Sequence, residues 1–184
     1  MNLERSLLIS EGANRMCFRH PADSTKCIKI PKLGGHRAQA LECQYYRRLA
    51  SNDISWDQLS RYHGVVETNL GKGYVYDLIL DFDETISLPI SDYLCTEPVN
   101  NIDRRVIFDS LHTLKEYLLA NIIIVRNLRP YNILYKRINV QEGIAVLIDN
   151  IGHHNACFHL SDATALLARK DIRKKWKKFE MNLR

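Results

Sequence analysis

Leu147-Ile148-Asp149-Asn150-Ile151-Gly152 is an apolar strand-like run that ends in an acid and then a glycine. Working outward, Ile133–Ile138 and Ile144–Ile148 read as a pair of short strands. Before them the apolar run Ile122-Ile123-Ile124-Val125 opens into a polar loop, Arg126-Asn127-Leu128-Arg129-Pro130-Tyr131-Asn132. Far upstream, residues 7–30 alternate apolar and polar positions and are interrupted at Glu11-Gly12-Ala13-Asn14 and Pro21-Ala22-Asp23-Ser24, which predicts three strands joined by two turns. The third ends Lys26-Cys27-Ile28-Lys29-Ile30. Strand alternation sends Ile28 and Ile30 to one face and Lys29 to the other.

Between these landmarks the pattern changes period. Ala40, Leu41, Tyr45 and Leu49 recur at helical spacing within 36–50, thirteen residues on from Lys29 to Glu42. Tyr62–Glu67 and Gly73–Leu80 predict a hairpin around Asn69-Leu70-Gly71-Lys72-Gly73. Residues 81–100 are acidic and turn-rich, with a short helix near Ile90–Cys95. Ile107, Leu111, Leu114 and Leu118 line a longer helix at about 103–121, and a basic helix begins near Ser161. Strands with one helix first, then helices with a small hairpin, predict an α+β chain of two lobes in a single domain over 1–184. The N-lobe, an antiparallel sheet with one helix, takes about 1–80, and a reduced helical C-lobe takes about 81–184.

Composition bounds what such a chain does. Hydrophobic residues make up 46% of the 184, enough for a core and too many for a disordered protein. No apolar run approaches the roughly 20 residues that span a bilayer, and Met1-Asn2-Leu3-Glu4-Arg5 lacks the basic-then-apolar start of an export signal. Five scattered cysteines (Cys17, Cys27, Cys43, Cys95, Cys157) with no C-x-x-C pair suit reduced thiols. The expected location is the cytoplasm. The net charge of +5 is uneven: residues 169–184 hold eight basic residues against Asp171 and Glu180, a local +6, so the other 168 residues net −1. A basic helix of this kind suits an anionic partner, a membrane surface or a nucleic acid.

Lys29 on a strand, Glu42 on the next helix, Asn132 in the polar loop and Asp149 at the strand end occur in an order that resembles the protein-kinase superfamily. In that fold a strand lysine binds nucleotide phosphates and pairs with a helix glutamate, while a loop asparagine and the aspartate of an Asp-Phe-Gly-like motif hold magnesium. The resemblance implies ATP and Mg2+ as cofactors, with Lys29, Glu42 and Gly12 (in the turn of a nucleotide-covering hairpin) around the phosphates and Asn132 and Asp149 as metal ligands. Main-chain groups of Asp77–Ile79 would then form the adenine hinge, and Arg126, Asn127 and Arg129 the catalytic loop. A plain hairpin turn explains Gly12 equally. Closer still, Cys27-Ile28-Lys29-Ile30, Arg61-Tyr62-His63-Gly64 through Glu67-Thr68, Gly73-Tyr74-Val75-Tyr76-Asp77 and Asp149-Asn150-Ile151-Gly152 resemble the YrbL family, bacterial proteins named for the PhoP regulatory network.

Two departures from the kinase pattern shape the expected activity. Asn127 stands where the loop of an active kinase carries an aspartate, and an amide orients a hydroxyl but takes no proton near neutral pH. Arg129 replaces a lysine expected two residues later and keeps its charge. Only 32 residues follow Gly152, with no Ala-Pro-Glu-like motif and no room for the usual peptide-substrate platform. The expectation is an ATP-dependent phosphotransferase of slow or unusual chemistry, its acceptor a small molecule or a protein. Alternatives are a catalytically inactive pseudokinase acting as a nucleotide-sensing or interaction regulator, and a binder of an anionic membrane surface or nucleic acid through its basic helix. His153, His154, Cys157 and His159 lack zinc-site spacing and read as a solvated loop.

Overall fold

The computed structural model describes residues 1–94, 102–152 and 162–183. The cluster of His153, His154, Cys157 and His159 lies outside them, as does Cys95. Three strands, β1 (Leu8–Glu11), β2 (Arg15–Arg19) and β3 (Lys26–Pro31), open the chain and are followed by α1 (His36–Ala50). The hairpin β4 (Tyr62–Thr68) and β5 (Gly71–Asp77) completes a five-stranded antiparallel sheet in the order β1-β2-β3-β5-β4. Its turn is tighter than the sequence suggests. Gly71, at φ +96°, already belongs to β5, and Asp77 instead of Leu80 ends the strand.

Alternation in β3 gives the sheet two faces. Ile28 and Ile30 pack with Leu3 and Phe18 in a small outer core, while Cys27 joins the main core beneath α1. Gly73 lets β5 lie against those isoleucines; a Cβ there would come within 2.6 Å of Ile28 Cγ2. On the inner face Tyr46 of α1 stacks near Trp56, Tyr62 and Tyr76, with ring centroids 5.5 to 6.2 Å away.

A linker leads to the second lobe and is held by buried Asp81. Its carboxylate accepts the Arg137 main-chain N–H at 2.9 Å and the Arg137 Nε at 2.6 Å. There follow β6 (Leu88–Pro89), the one-turn α2 (Ile90–Tyr93), α3 (Arg104–Ala120), and the strands β7 (Ile133–Arg137) and β8 (Gly143–Leu147). The last three strands form an antiparallel sheet, β6-β7-β8. Asp103 caps α3 by accepting the Arg105 N–H, and Ile107, Leu111, Leu114 and Leu118 are buried, as the helical spacing predicts. Full burial of each such side chain stabilises by about 1.5–3 kcal/mol. The chain returns along α4 (Asp162–Met181), whose Ile172, Trp176 and Phe179 are buried and whose Leu183 neighbour is half-buried.

The lobes meet through main chain. Ser60 N donates to Leu147 O and Leu147 N to Gln58 O, both at 3.0 Å, so the segment before β4 runs beside β8. That junction brings the end of β8 under β3 and α1. The molecule is α+β with antiparallel sheets in two small lobes.

Candidate functional site

Register carries Lys29 into the cleft. Cys17 of β2 and Tyr74 of β5 pair with it on either side, so all three share the inner face. Lys29 Nζ donates to the Ile148 carbonyl at 2.6 Å and lies 4.4 Å from the Tyr76 ring centroid. A lysine from the first lobe is therefore bonded to the residue just before Asp149 in the second.

Asp149 and Asn132 are locked side by side. Ile148 N donates to the Asn132 carbonyl at 3.0 Å, and Asn150 N to Asp149 Oδ1 at 2.8 Å. Asn150 and Gly152 both adopt positive φ, 62° and 96°, so the chain reverses directly after the acid. A Cβ on Gly152 would meet Tyr45 Cβ at 3.0 Å, so α1 approaches this turn too closely for a side chain. Asn132 is buried, and its Nδ2 has no hydrogen-bond partner among the described residues.

Glu42 is fully buried, and its partners are not those of a Lys–Glu pair. Arg15 Nη1 reaches Glu42 Oε1 at 3.2 Å and Asp149 Oδ1 at 2.9 Å. Arg126 Nη2 binds Glu42 Oε2, and its Nη1 donates to the Ala38 carbonyl at 3.2 Å. Tyr76 Oη adds a third donor at 3.3 Å and itself accepts from Gln39 Nε2 at 2.8 Å. The expected pairing of Lys29 with Glu42 is therefore replaced. A planar guanidinium spans two carboxylates at once, whereas the lysine point charge is taken by the Ile148 carbonyl. Arg126 likewise clamps α1 to the loop and does not point into open space.

The remaining expected site residues fall around this cluster. Asn127 and Arg129 are exposed at the rim of the loop. Gly12 closes the β1–β2 turn by donating to Arg15 O at 2.9 Å, and space around it would admit a Cβ, as in a plain hairpin turn. At the hinge, Asp77 N, Asp77 O, Leu78 N and Ile79 O are already bonded within the protein. That leaves the Leu78 carbonyl and Ile79 N–H as the main-chain groups without such bonds among the described residues. The Asp77 carboxylate instead accepts from Arg61 N at 3.1 Å and contacts His63 Nε2.

Arg15, Gln39, Tyr76 and Cys17 are site residues that composition and spacing did not single out. The signal was available for Arg15 and Cys17. They alternate along β2 from the turn at Gly12, and the hairpin register sets Cys17 opposite Lys29.

The electrostatics favour an anion. Lys29, Arg15 and Arg126 surround Glu42 and Asp149, three cations against two carboxylates. Burial alone would raise the Asp149 carboxyl; Lys29, Arg15, the Asn150 N–H and Arg126 together outweigh it and hold the group below its ordinary range. Burial likewise opposes the charge on Arg15, and Glu42 and Asp149 overcome it and push its pKa further up. Beside them the Cys17 thiol is lowered, chiefly by a hydrogen bond with Cys27 and also by Lys29.

Among the described residues no group of three or more His, Cys, Asp or Glu side chains could hold a metal alone. Mg2+ does not need one, since it is commonly held by one or two protein oxygens together with ligand phosphates. Asp149 and the Asn132 amide fit that limited role, Asp149 once it releases Arg15.

A family model described as PhoP regulatory network protein YrbL matches residues 1–184. The chain is 39% identical over 149 residues to the proteins named YrbL of Escherichia coli strain K12 and of Shigella flexneri, covering 78% of this chain and 70% of each relative. With its whole described length in the family's pattern, the chain belongs to the YrbL family of PhoP regulatory network proteins.

Proposed function

We propose that the chain binds ATP with Mg2+ between its two sheets and acts as a kinase-like phosphotransferase with an atypical catalytic loop. The observation that carries this reading is the convergence of Lys29, Arg15, Asn132 and Asp149, from both lobes, into one cluster with a surplus of positive charge. Such a surplus suits a polyanion. The unpartnered Asn132 Nδ2 supports it, since that donor fits a phosphate oxygen and the amide turned over presents its oxygen to a metal. Lys29 and Arg15 would take phosphate oxygens, and Asn132 and Asp149 the metal. The Leu78 carbonyl and Ile79 N–H would read the adenine edge. Bound Mg2+ supplies neutralisation of charge on the transferring phosphoryl group.

Asn127 favours a second reading, a pseudokinase that binds nucleotide without transferring phosphate. A general base is worth about 10²–10⁴-fold, so its loss slows transfer more readily than it ends nucleotide binding. A melting series distinguishes nucleotide binding from its absence. Mg-ATP in excess should raise the Tm of the full chain, by about 2.7 kcal/mol of added stability at a hundredfold excess over Kd. Asp149→Ala should remove the magnesium-dependent part. No shift with ATP and any divalent ion, for a protein that melts cooperatively, rejects both readings.

A further inference from the structure

We propose that the outward face of α4 docks the protein on an anionic lipid surface. This rests on α4 alone and not on the nucleotide reading. At 3.6 residues per turn, Leu166, Leu167, Lys170, Arg173, Lys174, Lys177, Lys178 and Met181 fall within an arc of about 140°, and all are exposed. Ala168, Ile172, Trp176 and Phe179 are buried on the opposite face. The helix is thus anchored by one side and offers the other.

The basic residues divide by task. Arg169 Nε donates to the Leu119 carbonyl at 3.2 Å and Lys175 Nζ to the Val125 carbonyl at 2.8 Å. Those two hold α4 to the lobe. Lys170, Arg173, Lys174, Lys177 and Lys178 have no hydrogen bond or ion pair among the described residues. The two acids among residues 164–181 of the helix are occupied: Asp171 pairs with Lys175 at 2.7 Å, and Glu180 accepts the Trp176 indole N–H at 2.9 Å. Five uncompensated cations therefore lie along a stripe of about 22 Å from Leu166 to Met181.

What lies at the ends of the stripe selects the partner. Leu166, Leu167 and Met181 are 67, 63 and 69% exposed on the same arc as the cations. Aliphatic side chains beside lysines match a bilayer interface, where the cations meet anionic headgroups and the leucines enter the acyl boundary. The stripe offers no aromatic ring for base stacking, because Trp176 and Phe179 face the core. An anionic lipid surface fits this chemistry better than a nucleic acid does.

The test is co-sedimentation of the full chain with phosphatidylglycerol-containing vesicles, with pure phosphatidylcholine vesicles, and in a separate arm binding to double-stranded RNA. Wild type should prefer the anionic vesicles, and raised salt should weaken binding. Changing Lys170, Arg173, Lys174, Lys177 and Lys178 together to Glu should lower partitioning by about two orders of magnitude or more, with the Tm preserved because none of these side chains is bonded in the fold. Leu166→Ser with Leu167→Ser should remove the binding that survives raised salt. Equal partitioning to both vesicle types, no effect of either variant, or RNA binding without vesicle binding each overturns the proposal.

Discussion

Arg15 divides one guanidinium between Glu42 and Asp149, and that division sets how the cleft responds to acid. The folded Asp149 carboxyl titrates below its ordinary value because Lys29, Arg15, the Asn150 N–H and Arg126 outweigh the opposing effect of burial. Its ionised form therefore stabilises the fold fully above the unfolded value of about 3.9, and this contribution disappears as pH falls through the lower folded value. Asp149→Asn should be less stable than wild type at neutral pH, with a shallower loss of stability in acid. Urea unfolding at stepped pH measures both, and parallel acid limbs would contradict the assignment. Asn127, exposed at the rim, poses the complementary question. If the protein is a slow kinase, Asn127→Asp should raise phosphoryl transfer or ATP hydrolysis within the ~10²–10⁴-fold range of a general base. No turnover in wild type, Asn127→Asp or Asn127→Ala, with ATP binding intact in wild type, selects the pseudokinase. Lys29, Asn132 and Asp149 were legible because each sits at a strand or loop with a distinctive neighbourhood. Arg15 was passed over because a basic residue near a turn is ordinarily solvated, although its alternation with Cys17 along β2 carried the signal.

At the scale of elements, periodicity was a reliable guide wherever one face is buried. The alternation through Ile28, Lys29 and Ile30 and the stripe of Ile107, Leu111, Leu114 and Leu118 were readable because a face packed on a core enforces its own period. Boundaries were less so: β5 is shorter than its apolar run because Leu78 and Ile79 leave the sheet for the linker. The partners of polar groups were not legible, because they depend on how one element crosses another. Tyr45 on α1 illustrates this. Its hydroxyl donates to the Ile122 carbonyl at 3.2 Å and accepts the Ile124 N–H at 2.9 Å, closing the irregular turn where Ile122 has φ +51°. Burial raises the pKa of this phenol, so it remains a donor at neutral pH. Tyr45→Phe should cost about 1–3 kcal/mol, because it leaves the buried Ile124 main-chain donor without its partner. Hydrogen exchange at Ile124 should speed up well beyond the rest of the lobe, and unchanged protection there would show that the hydroxyl is not the staple.

Across the whole molecule, one hydrophobic core runs through both lobes, and the charged cluster adds polar ties between them. Lys29 on Ile148, Arg15 on Asp149 and Arg126 on Glu42 each link a residue of the first lobe to one of the second. These contacts hold β3 and α1 against the end of β8. On the nucleotide reading proposed above, ATP and Mg2+ would have to replace some of these contacts, and ligand binding would then be coupled to the spacing of the lobes through Arg15 and Lys29. The tie from Lys175 to Val125 has a consequence in time as well as space. The strands of the first sheet are all made by residue 77, so that lobe can fold early during synthesis. Glu42, by contrast, waits for Arg126, Lys29 for Ile148, and the segment carrying Arg126 for a helix that follows every other described element. Translation thus delivers a finished sheet whose Glu42 has Arg15 and Tyr76 but not yet Arg126, and the cluster is complete only when the second lobe follows and α4 seats against Val125.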